Sequence, residues 1–432
     1  MAKGNIVSLT HDKIPMVNAQ ELTETVVDNY NMLVNMTKKY ETDDEYYKNT
    51  TERPSLFIWG APGIGKTAIV RQAAKSLGVD LILWHLSLTE PSDMLGVPGV
   101  EIVDGKKRTV FYLPTIFPTS NGTSNKGAII FFDEMNRAPE AVLAASLSLC
   151  LEGKVGSYTL PSKVLVIGAG NRPNDLGNGL ISDIEPALMN RFEHVNLVLT
   201  PKDYEKWATR TAQGQEEVIP EIVSYIIGDH GQEFFHKLDL DNTQSPWPSP
   251  RSWTAASRKL IALGGIDRMT TKKIMVLTSR FVGNEAATKF GEFVELRKHF
   301  TEEDINMIFT NPEEAKPLPD RIDVAKAVAY AIAKYKKTDM TAIDKIPAEL
   351  VITESEFKNL TRYTLKNDRD DIYVLVLQLF MKAHPYITYT QTSDPKYGYY
   401  KKILTAWKKE IDKVIKPEEF QEIMGSDSTK KK

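Results

Sequence analysis

Residues Gly60 to Thr67 read GAPGIGKT, and they constrain this chain more than any other stretch. They fill the pattern G-x-x-x-x-G-K-[ST], directly after the apolar run Leu56-Phe57-Ile58-Trp59 and directly before a helix-prone stretch from Ala68 to Leu77. A loop that wraps phosphate oxygens between a strand and a helix needs glycine, because its backbone approaches the anion closely and turns several N–H groups inward. Lys66 adds compact positive charge at the β- and γ-phosphates, and Thr67 offers a hydroxyl to Mg2+. The following helix aims its N-terminus at the same anion. The segment Gly60-Ala61-Pro62-Gly63-Ile64-Gly65-Lys66-Thr67-Ala68 is therefore the expected cradle of a nucleoside triphosphate.

Such a loop requires a layered α/β fold around it, and the rest of the chain supplies one. Leu81–Leu86, Ile129–Phe132, Val164–Ile167 and Val195–Leu199 read as further strands. Several are apolar at consecutive positions, as parallel strands buried on both faces are. Helical patterns at Thr67–Leu77 and Ala138–Leu151 alternate with them, which predicts a parallel sheet. Ahead of the loop, Val17, Leu22, Val26, Tyr30 and Leu33 recur at helical spacing, and the polar stretch Glu41–Glu52 reads as a loop. After Thr200 the strand signal fades. Tyr204–Thr211, Ile219–Ile227, Thr254–Leu263, Lys272–Phe281 and Val324–Tyr335 read as helices. Beyond Pro347, Asp371–Met381 and Tyr399–Ile415 are helical in pattern, and the polar tail Gly425–Lys432 reads as disordered. At 432 residues the chain exceeds one ordinary core. The expected division is an α/β unit with a helical lead-in at 1–199, a helical unit at 200–345 and a helical extension at 346–432.

Composition narrows the function. A net charge of −3 argues against non-specific nucleic-acid binding as the main task, while leaving room for a local basic surface. The single cysteine, Cys150, leaves no intrachain disulfide framework and no cysteine-based zinc site. Its neighbours Leu147, Leu149 and Leu151 mark it as a buried structural thiol. No apolar run reaches membrane-spanning length, and the first residues lack the apolar stretch of a secretory signal, so a soluble cytoplasmic protein is expected.

Further residues fall where a triphosphate site needs them. The strand-like run Ile129–Phe132 delivers Asp133 and Glu134 at its C-terminal end, where ligands bind in open α/β sheets. Asp133 is placed to hold Mg2+, and Glu134 to orient and deprotonate the attacking water. Asn171, after Val164–Gly170, could position that water against the γ-phosphate; taken alone, an asparagine before Arg-Pro is a turn residue. Arg191 and Arg251 could each stabilise transition-state charge on the γ-phosphate, or form an ordinary surface ion pair.

Together these residues resemble the AAA+ ATPases, and within them the MoxR family, from about Ile14 to Tyr335. GAPGIGKT looks like the Walker A motif, Ile129–Glu134 like Walker B and Asn171 like sensor 1. Asp133-Glu134-Met135-Asn136-Arg137-Ala138-Pro139 is similar to the DEINRAP signature of that family. Leu88–Gly96 resembles the segment that opens a β-hairpin inserted in helix 2, and Gly153–Pro161 the hairpin before sensor 1. The resemblance implies a five-stranded sheet in the order 5-1-4-3-2, an all-helical lid and a nucleotide-driven ring, usually a hexamer. It implies that Arg191 acts across a subunit interface, that Arg251 is a sensor 2 residue on the lid, and that Lys66, Glu134, Asn171 and Arg191 carry the chemistry. It also implies ATP with Mg2+, held by Thr67 and Asp133, a protein client, and a partner bearing a von Willebrand factor A domain. Glu41–Glu52 and the residues from Pro347 onward match nothing in the family.

The inserted hairpin is also visible in the residues. Val100–Val103 and Thr109–Tyr112 are strand-like around the turn signal Asp104-Gly105, with Lys106, Lys107 and Arg108 at the tip. Those cations either touch a polymer or keep the strand edge from pairing. Two alternatives to a protein remodeller stand beside it. A nucleic-acid motor is disfavoured by the acidic balance and the lack of a recognisable binding module. A nucleotide-gated scaffold is disfavoured because every catalytic position holds a competent residue type.

Overall fold

The computed structural model describes residues 14–50, 53–118 except 104 and 113, 127–172 except 157, 190–209, 218–238 except 229, 245–336 and 350–366, followed by single positions up to 384. Two units emerge, the first running to Asp203 and the second from Tyr204.

The first unit is built on a parallel sheet. Its strands are β1 (Met16–Val17), β2 (Leu56–Trp59), β3 (Asp80–His85), β6 (Ala128–Asp133), β9 (Val164–Gly170) and β10 (Glu193–Leu197). Between them lie two antiparallel hairpins, β4 (Val97–Val103) with β5 (Lys106–Tyr112), and β7 (Lys154–Val155) with β8 (Tyr158–Thr159). The six-stranded sheet has the order β1-β10-β2-β9-β6-β3. Without β1 this is the expected 5-1-4-3-2. The sequence reading missed β1, because two residues carry no periodicity. Val17, read as part of the first helix, instead pairs with Leu197.

Both faces of the sheet are covered, which explains the continuous apolar runs. Leu56, Ile58, Ile129, Phe131, Leu165 and Ile167 pack with α1 (Ala19–Thr37) and α3 (Lys66–Leu77). Their alternates Phe57, Trp59, Ile130, Phe132, Val164 and Val166 pack on the other side with α5 (Glu140–Glu152). On that side an aromatic chain runs from Phe132 to Trp84 at 5.8 Å, Trp84 to Phe117 at 5.1 Å, and Phe117 to Tyr158 at 4.7 Å. It joins the second hairpin and the segment after the first to β6. Cys150 is buried there, and burial pushes its thiol up.

The polar stretch read as a loop holds a helix, α2 (Asp43–Asn49). Thr42 caps it, Asp43, Asp44 and Glu45 suit its first turn, and Tyr46 anchors it in the core. Tyr46 is the signal that the polarity of its neighbours hid. The helix braces the second hairpin. Asp43 Oδ1 accepts from the Ser162 amide at 3.1 Å, and Tyr47 leaves no room for a side chain at Gly153. Burial pushes the Tyr47 phenol up to about 12, against the pull of the adjacent Arg53.

In the first hairpin, Lys106, Lys107 and Arg108 open the returning strand, paired with Val103, Ile102 and Glu101. Val100, Ile102, Phe111 and Tyr112 are exposed on it. The helix α4 (Pro91–Leu95) precedes this hairpin.

The second unit is helical among the described residues. Its helices are α7 (Pro220–Ile227), α8 (Pro250–Ala262), α9 (Thr271–Val282), α10 (Asn284–Lys298), α11 (Glu302–Thr310), α12 (Ile322–Ala333) and α13 (Glu354–Lys366); α6 (Pro201–Ala208) contains the division between the units. α10, α11 and α13 are not among the expected helices. Trp253, Tyr225, Phe290 and Phe293 form one aromatic centre. A second core joins Phe309, Val328 and Ile332 to Phe357, Leu360 and Phe380. Residues beyond 350 therefore share a core with the helices before them. The expected helix Tyr399–Ile415 and the tail lie outside the described residues, and Asp371–Met381 lies partly outside. No helix among the described residues is long and apolar enough to cross a membrane.

Candidate active site

β2, β6 and β9 lie side by side and end at the same edge of the sheet, so the segments that follow them meet. After β2 comes the glycine loop. Gly63 and Gly65 stand at φ 75° and 109°, a region open to glycine and strained for a side chain. Gly65 caps α3 without a side chain, which leaves the first amides of that helix turned toward the loop.

Lys66 is 7% exposed. Its Nζ donates to the carbonyls of Gly60 at 2.6 Å and Ala61 at 3.3 Å, and to Asn171 Oδ1 at 2.9 Å. Thr67 Oγ1 donates to Asp133 Oδ2 at 2.8 Å. The structure thus brings Lys66 to Asn171 and its chain neighbour Thr67 to Asp133, two hydrogen-bonded pairs that form one cluster through the Lys66–Thr67 link. Thr67 and Asp133 offer adjacent hard oxygen donors, the set that Mg2+ takes alongside phosphate oxygens and water. Among the described residues no cluster of three or more acidic, histidine or cysteine side chains forms a separate metal cage.

Glu134 stands just past β6 with φ 55° and ψ 36°. For a side chain other than glycine or asparagine this left-handed conformation costs about 1–2 kcal/mol. The Asp133 side chain supports it by accepting from the Glu134 amide at 2.9 Å. Ser87 Oγ donates to Glu134 Oε2 at 2.6 Å, and Arg137 Nη1 lies 3.6 Å from Oε1. The half-exposed Arg137 pair adds little on its own.

Ser87 and Asn136 escaped the sequence reading as parts of the site. Ser87 lies just beyond β3, and only the pairing of His85 with Asp133 brings it to Glu134. Asn136 Nδ2 donates to the Asn171 carbonyl at 2.8 Å, and its Oδ1 accepts from the Asn171 amide at 3.3 Å. Asn136 falls within the Asp133–Pro139 motif, but nothing in the spacing tells that it holds the backbone of Asn171. Gly170 makes room, since a Cβ there would stand 2.7 Å from Asn136 Oδ1.

Arg191 lies elsewhere in the first unit. Arg191 is exposed, and its carbonyl accepts from Ser55 Oγ at 3.1 Å. Ser55 precedes β2 and the glycine loop follows it, so the strand separates them by roughly 13 Å. Arg191 therefore sits at the opposite edge of the sheet from Lys66. Arg251 is exposed in the first turn of α8, in the second unit, next to the capping Ser249.

Comparison with known proteins bears on the first unit. A family model described as ATPase family associated with various cellular activities (AAA) matches residues 56–198. The human ATPase family gene 2 protein homolog B is 30% identical over 157 residues, covering 34% of this chain and 18% of that protein. Midasin from Giardia intestinalis is 29% identical over 212 residues, covering 45% of this chain and 4% of its own length. The chain thus spans a small fraction of each relative. Among solved structures, the Holliday junction branch migration motor RuvB of Thermotoga maritima overlays 67% of this chain and 76% of its own, at 14% identity and a TM-score of 0.31.

Proposed function

We propose that this chain, whose residues 56–198 form an AAA ATPase domain, hydrolyses ATP with Mg2+ in a ring of like subunits and uses the cycle to remodel a protein client. The observation that carries the reading is the bonded cluster of Lys66, Thr67, Asp133 and Asn171, with Glu134 beside it. In this reading the loop amides and Lys66 bind the β- and γ-phosphates, in exchange for the carbonyls that Lys66 now faces. Thr67 and Asp133 would hold the metal, which offsets phosphate charge when bound. Glu134 takes the proton of the attacking water, and Ser87 and Arg137 orient its two oxygens. Asn171, fixed by Asn136, reads the γ-phosphate.

Arg191 lies too far from its own loop to reach the phosphates, which supports a role at a neighbour's site. A seat for Arg251 on the lid, where it would couple nucleotide state to the angle between rigid bodies, follows the same reading. The DEMNRAP segment and the two hairpins support the MoxR subtype, and with it a von Willebrand factor A partner by analogy.

The test is Glu134→Gln. It should bind ATP about as the parent does, while phosphate release falls by roughly 10²-fold or more, the usual weight of a general base. Release at the parent's rate sinks the reading. A Glu134→Gln chain used as bait then recovers the client.

A further inference from the structure

The second unit carries a charge asymmetry that nucleotide chemistry does not use. From Arg258 to Arg280 the basic residues are Arg258, Lys259, Arg268, Lys272, Lys273 and Arg280, against the single acid Asp267, in a chain of net charge −3. All six are exposed. Among the described residues, Lys259, Arg268, Lys272, Lys273 and Arg280 enter no ion pair, whereas Lys237, Lys289, Arg321, Lys336 and Lys358 of the same unit do. The one acid is drawn away, since Asp267 Oδ1 lies 3.7 Å from Arg297.

The helices place five of the six cations toward one end. α8 and α9 are consecutive, pack together and are joined by the segment 263–270. Arg258 and Lys259 stand near the end of α8, Lys272 and Lys273 in the first turn of α9, and Arg268 between them. Lys272, Val276 and Arg280, spaced by four, extend the stripe along one face of α9. Local helix energetics oppose this arrangement. A helix N-terminus favours acids, yet the first turn of α9 has none and holds two lysines. Glu295 of α10 is the acid at this helix start, where it accepts from Thr271 Oγ1 and forms no ion pair with either lysine, so the crowded cations suit an anionic partner.

Two observations select the kind of partner. Aliphatic side chains lie among the cations, Ile261 and Leu263 at 40% exposure and Val276 at 49%, and no large aromatic on α8 or α9 is exposed for base stacking. The stripe also stops at Arg280. On the adjoining α10, Lys289 pairs with Glu292, Arg297 is buried against Glu221, and Lys298 donates to the Met269 carbonyl. A nucleic acid needs a longer track of available charge, while a short peptide ends where the stripe does. We infer that the closed end of the α8–α9 hairpin docks a short acidic polypeptide segment bearing aliphatic side chains.

The experiment is fluorescence anisotropy of a labelled peptide of repeating Glu-Glu-Leu on the full chain, at low and high salt. The parent should bind it, more weakly as salt rises. Combining Lys259→Glu, Arg268→Glu, Lys272→Glu and Lys273→Glu should weaken binding by roughly tenfold or more, with the circular dichroism melt unchanged. The milder pair Lys272→Gln and Lys273→Gln, which leaves the fold less challenged, should lose part of the affinity. Undiminished peptide binding by both variants overturns the inference. So does tighter binding of a duplex DNA of about 20 base pairs than of the peptide, which would assign the stripe to nucleic acid. The readout is binding, so it stands or falls separately from ATP hydrolysis.

Discussion

At the scale of single residues, Glu134 combines two demands. Its carboxylate must reach the end of β6, and its backbone holds a left-handed conformation to do so. Asparagine accepts that conformation far more readily than glutamine. Glu134→Asn should therefore unfold at higher denaturant than Glu134→Gln, by about 0.5–1.5 kcal/mol, with both variants inactive. Equal midpoints would mean that the Asp133 contact already absorbs the strain. Ser87 belongs to the same scale. A serine two residues past a strand is silent in a sequence, because its partner is set by which strands pair.

At the scale of elements, β9 depends on a glycine. A Cβ at Gly170 would press on Asn136 Oδ1 at 2.7 Å and on the Phe57 ring at 3.1 Å. Gly170→Ala should cost about 1–3 kcal/mol in urea unfolding and lower kcat more than it raises KM, because Asn171 moves with its strand. Unchanged kinetics would detach Asn171 from catalysis. The sequence exposed this element well. Strands apolar at consecutive positions, such as Val164–Ile167, and glycines such as Gly63 and Gly65 declare their role through composition. β1 is too short for a pattern, and α2 hid Tyr46 among acids that favour its first turn. The contacts of Asn136 and Ser87 arise only when separate strands come together, a fact no local window contains. Arg191 was legible as a residue of interest, and its position opposite the glycine loop came from the parallel register of β10 with β2.

At the scale of the whole molecule, that register frames the question of assembly. Arg191, proposed above to act in catalysis, stands at the far edge of its own sheet and would serve a neighbour's site. Chains carrying Arg191→Ala and chains carrying Glu134→Gln should each be nearly inactive alone and regain measurable phosphate release when mixed, because some interfaces then combine an intact glutamate with an intact arginine. No recovery at any ratio would return Arg191 to the list of plain surface residues. The aromatic chain from Phe132 through Trp84 and Phe117 to Tyr158 has a different consequence. Trp84 sits one contact from the strand that ends in Asp133 and one from the segment leaving the first hairpin. Once the other five tryptophans of the chain are replaced by phenylalanine, the indole at Trp84 becomes an optical gauge, its emission sensitive to slippage of the hairpins against β6, and the protein can be followed through its cycle without an attached dye.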